Sequence, residues 1–177
     1  MKIIKNRINT FFAFALFIAS FTTAAQSTGG KDFKIGAMLA YGTEIENIGI
    51  GANAEFQVMN QLTISPGFIY YLPKSYGPIK TNWFEVNANA NYYFVSDEKF
   101  DFYGLAGLNY SSISVKYDGA FAGLVGNNSA SDGRFGLNLG GGANMNLGSS
   151  ITPFAEIKYV VIDGGQLVLA AGIRFAL

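Results

Sequence analysis

Seven charged residues stand in extended, alternating stretches of this 177-residue chain: Lys34, Glu55, Glu85, Arg134, Glu156, Lys158 and Arg174. Carboxylates beside lysine and arginine can do two kinds of chemistry. They can transfer protons as an acid–base cluster, or they can neutralise one another where water is scarce. The first option lacks its usual helpers, because the chain has no histidine and no cysteine. A Ser-His-Asp triad, a thiol nucleophile, a His-ligated zinc and a disulfide are all excluded. The seven residues are therefore read as a structural ion-pair network, since buried charges must pair. A second reading makes them the lining of a narrow pore. No enzymatic activity, cofactor or metal is expected.

Two motifs are decoys. Gly49-Ile50-Gly51-Ala52-Asn53-Ala54 approaches a dinucleotide fingerprint, but that motif needs a strand before it and a helix after it, and here it lies inside one alternating stretch. Asn127-Asn128-Ser129 has the form of a glycosylation triplet, which chance explains as well. The stretch 118–133 holds the better binding candidates. It is long, rich in glycine and asparagine, and carries Phe121, Leu124, Val125, Asn127 and Asn128. Loops take on binding roles when a rigid scaffold holds them.

The scaffold is legible as a period of two. In Phe84-Glu85-Val86-Asn87-Ala88-Asn89-Ala90-Asn91-Tyr92-Tyr93-Phe94 the residues alternate without a break. An extended chain turns successive side chains to opposite faces, so this stretch has one apolar and one polar face. The same pattern predicts eight strands, at 32–41, 48–58, 62–72, 84–94, 100–117, 134–147, 152–161 and 166–177. No 3.6-residue period competes with it beyond residue 25. Pro66 lacks a ladder donor and predicts an irregularity in the third strand. In the fifth, Phe102, Ala106, Leu108 and Tyr110 share one parity, and Ile113, Val115 and Tyr117 the other. That phase change predicts a bulge near Ser111 or Ser112. The connections after strands two, four and six are short, and those at 42–47, 73–81 and 118–133 are longer.

Residues 1–25 read as a secretory signal peptide rather than part of the fold. Lys2, Lys5 and Arg7 precede an apolar run at 11–21, and Thr23-Ala24-Ala25 supplies a small-residue cleavage site. The apolar run is shorter than the ~20 residues a spanning helix needs. Residues 26–177 form one domain. Without the three basic residues of the leader, nine basic side chains face twelve acidic ones. No nucleic-acid footprint is present.

The remaining question is which solvent meets the apolar faces. Glycines 36, 49, 51, 67, 136, 140, 142 and 172 fall on the polar faces. In an exposed strand glycine only weakens the structure. Inside a narrow eight-stranded barrel it makes room for long neighbours. Aromatics gather near the strand ends, as interfacial girdles do. These features favour an all-β, eight-stranded antiparallel up-and-down transmembrane barrel, apolar face to lipid. The competing reading is a soluble periplasmic, lipocalin-like barrel with an apolar lumen carrying an apolar ligand.

The alternation at 84–94, the segment Phe102-Tyr103-Gly104-Leu105-Ala106-Gly107-Leu108-Asn109-Tyr110 and the ending Gly172-Ile173-Arg174-Phe175-Ala176-Leu177 resemble the small outer-membrane barrels of the OmpA/OmpX type. The nearest likeness is to the outer membrane protein β-barrel domain family common in Bacteroidetes. The resemblance implies location in the outer membrane of a Gram-negative cell. It implies a structural, envelope-integrity or surface-interaction role through extracellular loops. Its partners would be outer-membrane lipid, lipopolysaccharide and the barrel-assembly machinery. Family members tend to finish on an outward aromatic, whereas this chain has Leu177 last and Phe175 two before it. Lys74, Tyr76 and Lys80 in 73–81 are the residues placed to meet anionic lipopolysaccharide.

Overall fold

The computed structural model describes residues 33–77, 79–117 and 129–177. The expected leader at 1–25 lies outside them, as do Phe121, Leu124, Val125, Asn127 and Asn128. Eight strands follow in order: β1 (Phe33–Gly42), β2 (Asn47–Met59), β3 (Leu62–Tyr76), β4 (Ile79–Ser96), β5 (Phe100–Tyr117), β6 (Ser129–Met145), β7 (Ile151–Val161) and β8 (Gln166–Ala176). Each pairs antiparallel with its neighbours, and β8 pairs with β1, so the sheet closes into an up-and-down barrel.

Closure leaves two environments, and the residue types divide between them. Leu39, Ile50, Leu108, Leu137, Leu139 and Leu169 lie exposed on the outer wall. Glu55, Glu85, Asn91, Asn138 and Arg174 are buried inside it. A soluble carrier would need the reverse arrangement, and the lipocalin-like reading fails on this point. An apolar wall around a polar lumen is the arrangement a bilayer requires, because lipid offers the backbone no hydrogen bonds and a closed barrel satisfies every one.

Three departures from the expected strands have physical causes. First, β5 has no bulge at Ser111 or Ser112. Its register with β4 is unbroken from Ile79↔Tyr117 to Tyr93↔Tyr103. The phase change marks a change of surroundings along a regular strand: Ser112 and Ser114 continue the outward parity of Leu108 and Tyr110 beyond the apolar band, and Ile113 turns to the lumen side opposite Trp83. Second, 73–81 is mostly strand rather than loop. The β3–β4 hairpin continues to Tyr76↔Ile79 and turns at Gly77, whose φ of +57° suits glycine. Third, the register shifts lie at Gln57/Met59, Tyr71/Lys74 and Tyr93/Val95. At Pro66 the irregularity takes a milder form. The ladder with β2 reaches Asn53↔Gly67 and resumes at Phe56↔Ile64 with the register unchanged.

The short hairpins at 60–61, 97–99 and 146–150 share one end of the barrel with the start of β1 and the end of β8. This is the periplasmic end in barrels of this type. At the other end, β3 to β6 have 15, 18, 18 and 17 residues, against 10, 13, 11 and 11 for β1, β2, β7 and β8. A spanning strand needs only ~9–11 residues. The four longer strands therefore rise above the rest as a raised sheet.

Candidate functional site: the lumen lattice

Two polar layers fill the lumen. The layer nearer the periplasm is centred on Arg174 of β8. Its Nη1 donates to Asn144 Oδ1 at 2.7 Å and lies 3.4 Å from Glu55 Oε2. Its Nη2 donates to the Tyr103 hydroxyl at 3.3 Å and lies 3.9 Å from Glu156 Oε2. The guanidinium also covers the Phe154 ring, 3.9 Å from its centroid, a cation–π contact strengthened by the absence of water. Glu55 Oε1 accepts hydrogen bonds from Thr63 (2.7 Å), Asn91 (3.3 Å) and the Tyr93 hydroxyl. The Tyr103 hydroxyl donates to Glu156 at 3.1 Å.

The second layer is built around Glu85 of β4 and Lys158 of β7, joined at 3.0 Å. Both side chains are almost wholly buried, at 0% and 3% exposure. Glu85 also accepts from Tyr71 (3.0 Å), Gln166 (2.6 Å) and Asn109 (3.3 Å). Lys158 donates to Asn87 Oδ1 at 2.7 Å. Asn138 bridges Asn87 and Asn89 at 2.9 and 2.7 Å. A buried ion pair is tolerable only when further hydrogen bonds satisfy it, and here they do.

Glycines make this filling possible. A Cβ on Gly142 would strike the Tyr103 ring, and one on Gly36 would strike the Asn53 side chain and Arg174. Above the second layer, at the extracellular end, the lumen turns apolar. Ala40, Ile69, Tyr71, Val160, Val168 and Ala170 pack together under Ile45 of the β1–β2 turn, with Trp83 and Ile162 against them. Lys74 holds that turn, donating to the Ile45 carbonyl at 3.4 Å and to Glu46 at 3.1 Å.

Of the seven charged residues singled out, Glu55, Glu85, Glu156, Lys158 and Arg174 meet in the lattice. Lys34 stands at the periplasmic mouth, where it lines a cavity of about 180 Å³ with Glu55, Asn60, Tyr93, Asp101 and Asn144. Arg134 does not join them. It keeps the lumen-side parity but sits at the extracellular rim, half exposed, bonded to Asp132 at 2.7 Å and Asp163 at 3.3 Å. The reason is height: β6 runs well above β7, so parity alone does not bring Arg134 down into the enclosed part. Tyr71, Tyr103, Gln166 and Asn144 are lattice members that charge-based reasoning missed. Their place on the polar parity was the available signal. Among the described residues, no three of His, Cys, Asp and Glu are grouped so as to hold a metal.

A closed antiparallel barrel of eight strands, apolar outside and charge-paired inside, defines an outer-membrane-type barrel. The family described as outer membrane protein beta-barrel domain matches residues 12–175, and the chain belongs to it. That membership places the protein in the outer membrane. Solved structures share the fold. The N-terminal β-barrel domain of Pseudomonas aeruginosa OprF superposes with a TM-score of 0.66 at 13% identity, over 82% of this chain and 96% of that one. Neisserial surface protein A gives 0.62 at 16% identity, over 82% and 96%. Ail, the attachment invasion locus protein of Yersinia pestis, gives 0.52 at 19% identity, over 81% and 96%. At these identities the likeness is one of fold. No curated protein matches the chain in sequence.

Proposed function

We propose that the protein is a non-catalytic, non-conducting envelope barrel that makes surface contacts through its extracellular end. The observation that carries this is the lumen: two charge-paired, hydrogen-bonded polar layers lie beneath an apolar plug. An ion would have to break buried pairs in order to pass. The lattice residues accordingly serve stability. Contacts then fall to the raised β3–β6 sheet and to 118–128, with Phe121, Leu124, Val125, Asn127 and Asn128 as its binding side chains. Attachment, the role in Ail's name, is one use to which this fold is put. Lipopolysaccharide is the proposed lipid partner, met by Lys80 near the outer interface. The barrel-assembly machinery would read the outward Phe175 and Leu177. The leader would be cleaved after Ala25.

Planar-bilayer recording of the purified protein tests the closed lumen. Absence of discrete conductance steps is expected, and regular ion-selective steps would replace this reading with the pore. Comparing surface attachment by cells with and without the protein tests the contact role.

A further inference from the structure

One nucleophile in the lumen has chemistry beyond ion pairing. Of the two cations that the lattice brings together, Arg174 is a guanidinium, which stays protonated and does not attack carbonyls. Lys158 is an amine. Its Nζ touches a carboxylate and an amide at once, Glu85 Oε2 at 3.0 Å and Asn87 Oδ1 at 2.7 Å. The Asn87 carbon that bears this oxygen lies one C=O length from it, about 1.23 Å, so it is within about 3.9 Å of Nζ. A small turn of either side chain brings nitrogen and carbon to the ~3–3.5 Å of a near-attack pair.

The surroundings favour attack at that carbon. Asn87 Oδ1 also accepts from Asn109 Nδ2 and Asn138 Nδ2, both at 2.9 Å. Two amide donors at this distance are the arrangement that stabilises an oxyanion. Ser111 holds Asn109 to the task. Its hydroxyl donates to Asn109 Oδ1 at 2.8 Å, which turns the amide nitrogen toward Asn87. Glu85 Oε2 lies against the amine whose protons must move. Lys158, Glu85, Asn87, Asn109 and Asn138 are each no more than 5% exposed, so bulk water does not compete for the carbonyl.

We propose that Lys158 and Asn87 join in an intramolecular amide bond, with Glu85 as the proton carrier. Glu85 takes one proton from the Lys158 ammonium. The freed lone pair attacks Asn87 Cγ, and the Oδ1 oxyanion forms between Asn109 and Asn138. Glu85 returns its proton to Asn87 Nδ2, and the Cγ–Nδ2 bond breaks to release ammonia. The surplus proton on Nζ passes through Glu85 to that ammonia. Overall, an ammonium and a primary amide become a secondary amide and an ammonium ion, with the Glu85 carboxylate regenerated. The event occurs once per chain, without turnover, and is independent of the surface-contact reading. The bond ties β4 to β7 across the lumen and joins positions 71 residues apart, which lowers the entropy of the unfolded chain. Linking follows folding, so newly refolded protein still carries the ion pair.

The test is tandem mass spectrometry of a tryptic digest, made from full-length barrel held folded in detergent for several days and then boiled. A branched species is expected, joining the peptide that holds Asn87 to the one that holds Lys158. It should be lighter than their sum by one ammonia, and its yield should rise with time after folding. Glu85→Gln should slow linking at least about a hundredfold, the usual worth of a positioned acid–base group. Asn87→Ala should abolish it while keeping the ion pair and the gel shift of the folded barrel, and so controls for any misfolding of Glu85→Gln. Asn87→Asp should still link, losing water in place of ammonia. Wild-type protein that yields only the two linear peptides overturns the proposal. So does a branched species that forms equally in protein kept unfolded in urea, since the bond would then owe nothing to the site. Linking at the wild-type rate in Glu85→Gln overturns the assignment of Glu85 and is what a purely structural carboxylate would give.

Discussion

Glu85 accepts from Tyr71, Gln166, Asn109 and Lys158, and no solvent reaches it. Glu85→Leu therefore strands the Lys158 ammonium in an enclosed lumen. Removing one partner of a buried pair typically costs about 3–5 kcal/mol. Urea unfolding in detergent, read by the gel shift of the folded form, should show a loss of that order. The double variant Glu85→Leu, Lys158→Met should recover most of it, since no unpaired charge remains. A double variant as weak as the single one would count against the pairing. The participants at this scale were largely legible, because period two assigns every residue to a face. Their partners were not. Period two gives a face and no height, and height follows from strand stagger. Glu55 meets Arg174 over the intervening β1 while Arg134, of the same parity, stops at the rim.

On a single strand, parity and height can be separated by experiment. Leu108 and Ser114 share the outward parity of β5, but Leu108 lies in the apolar band and Ser114 beyond it. Leu108→Arg should cost about 2–4 kcal/mol if it sits near the bilayer midplane. Ser114→Arg should stay within about 0.5 kcal/mol, as exposed substitutions usually do. Unfolding from lipid vesicles would measure both, and equal effects would move the membrane boundary assigned here. This contrast also explains the misplaced bulge. An alternation that inverts can mean an extra residue or a new solvent, and one sequence cannot distinguish them. Gly172 supplies a second test at this scale. A Cβ there would collide with the Ala37 carbonyl at the β8–β1 seam. Gly172→Val should prevent the folded gel shift, whereas Gly104→Val, on an open outer site, should preserve it.

For the molecule as a whole, barrel, strand number and direction were legible, because eight alternating stretches with short turns have few other ways to hide their backbone groups. The apolar plug was not, since Ile69, Val160 and Val168 occupy positions that the pattern assigns to the polar face. The plug predicts that Ile45→Ser and Val168→Ser will lower the unfolding midpoint without opening a conductance, because the polar layers beneath remain shut. The arrangement of those layers bears on how the molecule is made. Arg174 belongs to the last strand, and the carboxylates it neutralises, Glu55 and Glu156, belong to β2 and β7. Until β8 docks on β1, those acids lack their cation. The final zipping step therefore supplies seam hydrogen bonds and charge cancellation together, which makes it hard to reverse. An incomplete barrel is left electrostatically unfinished, while the sealed one is locked from within.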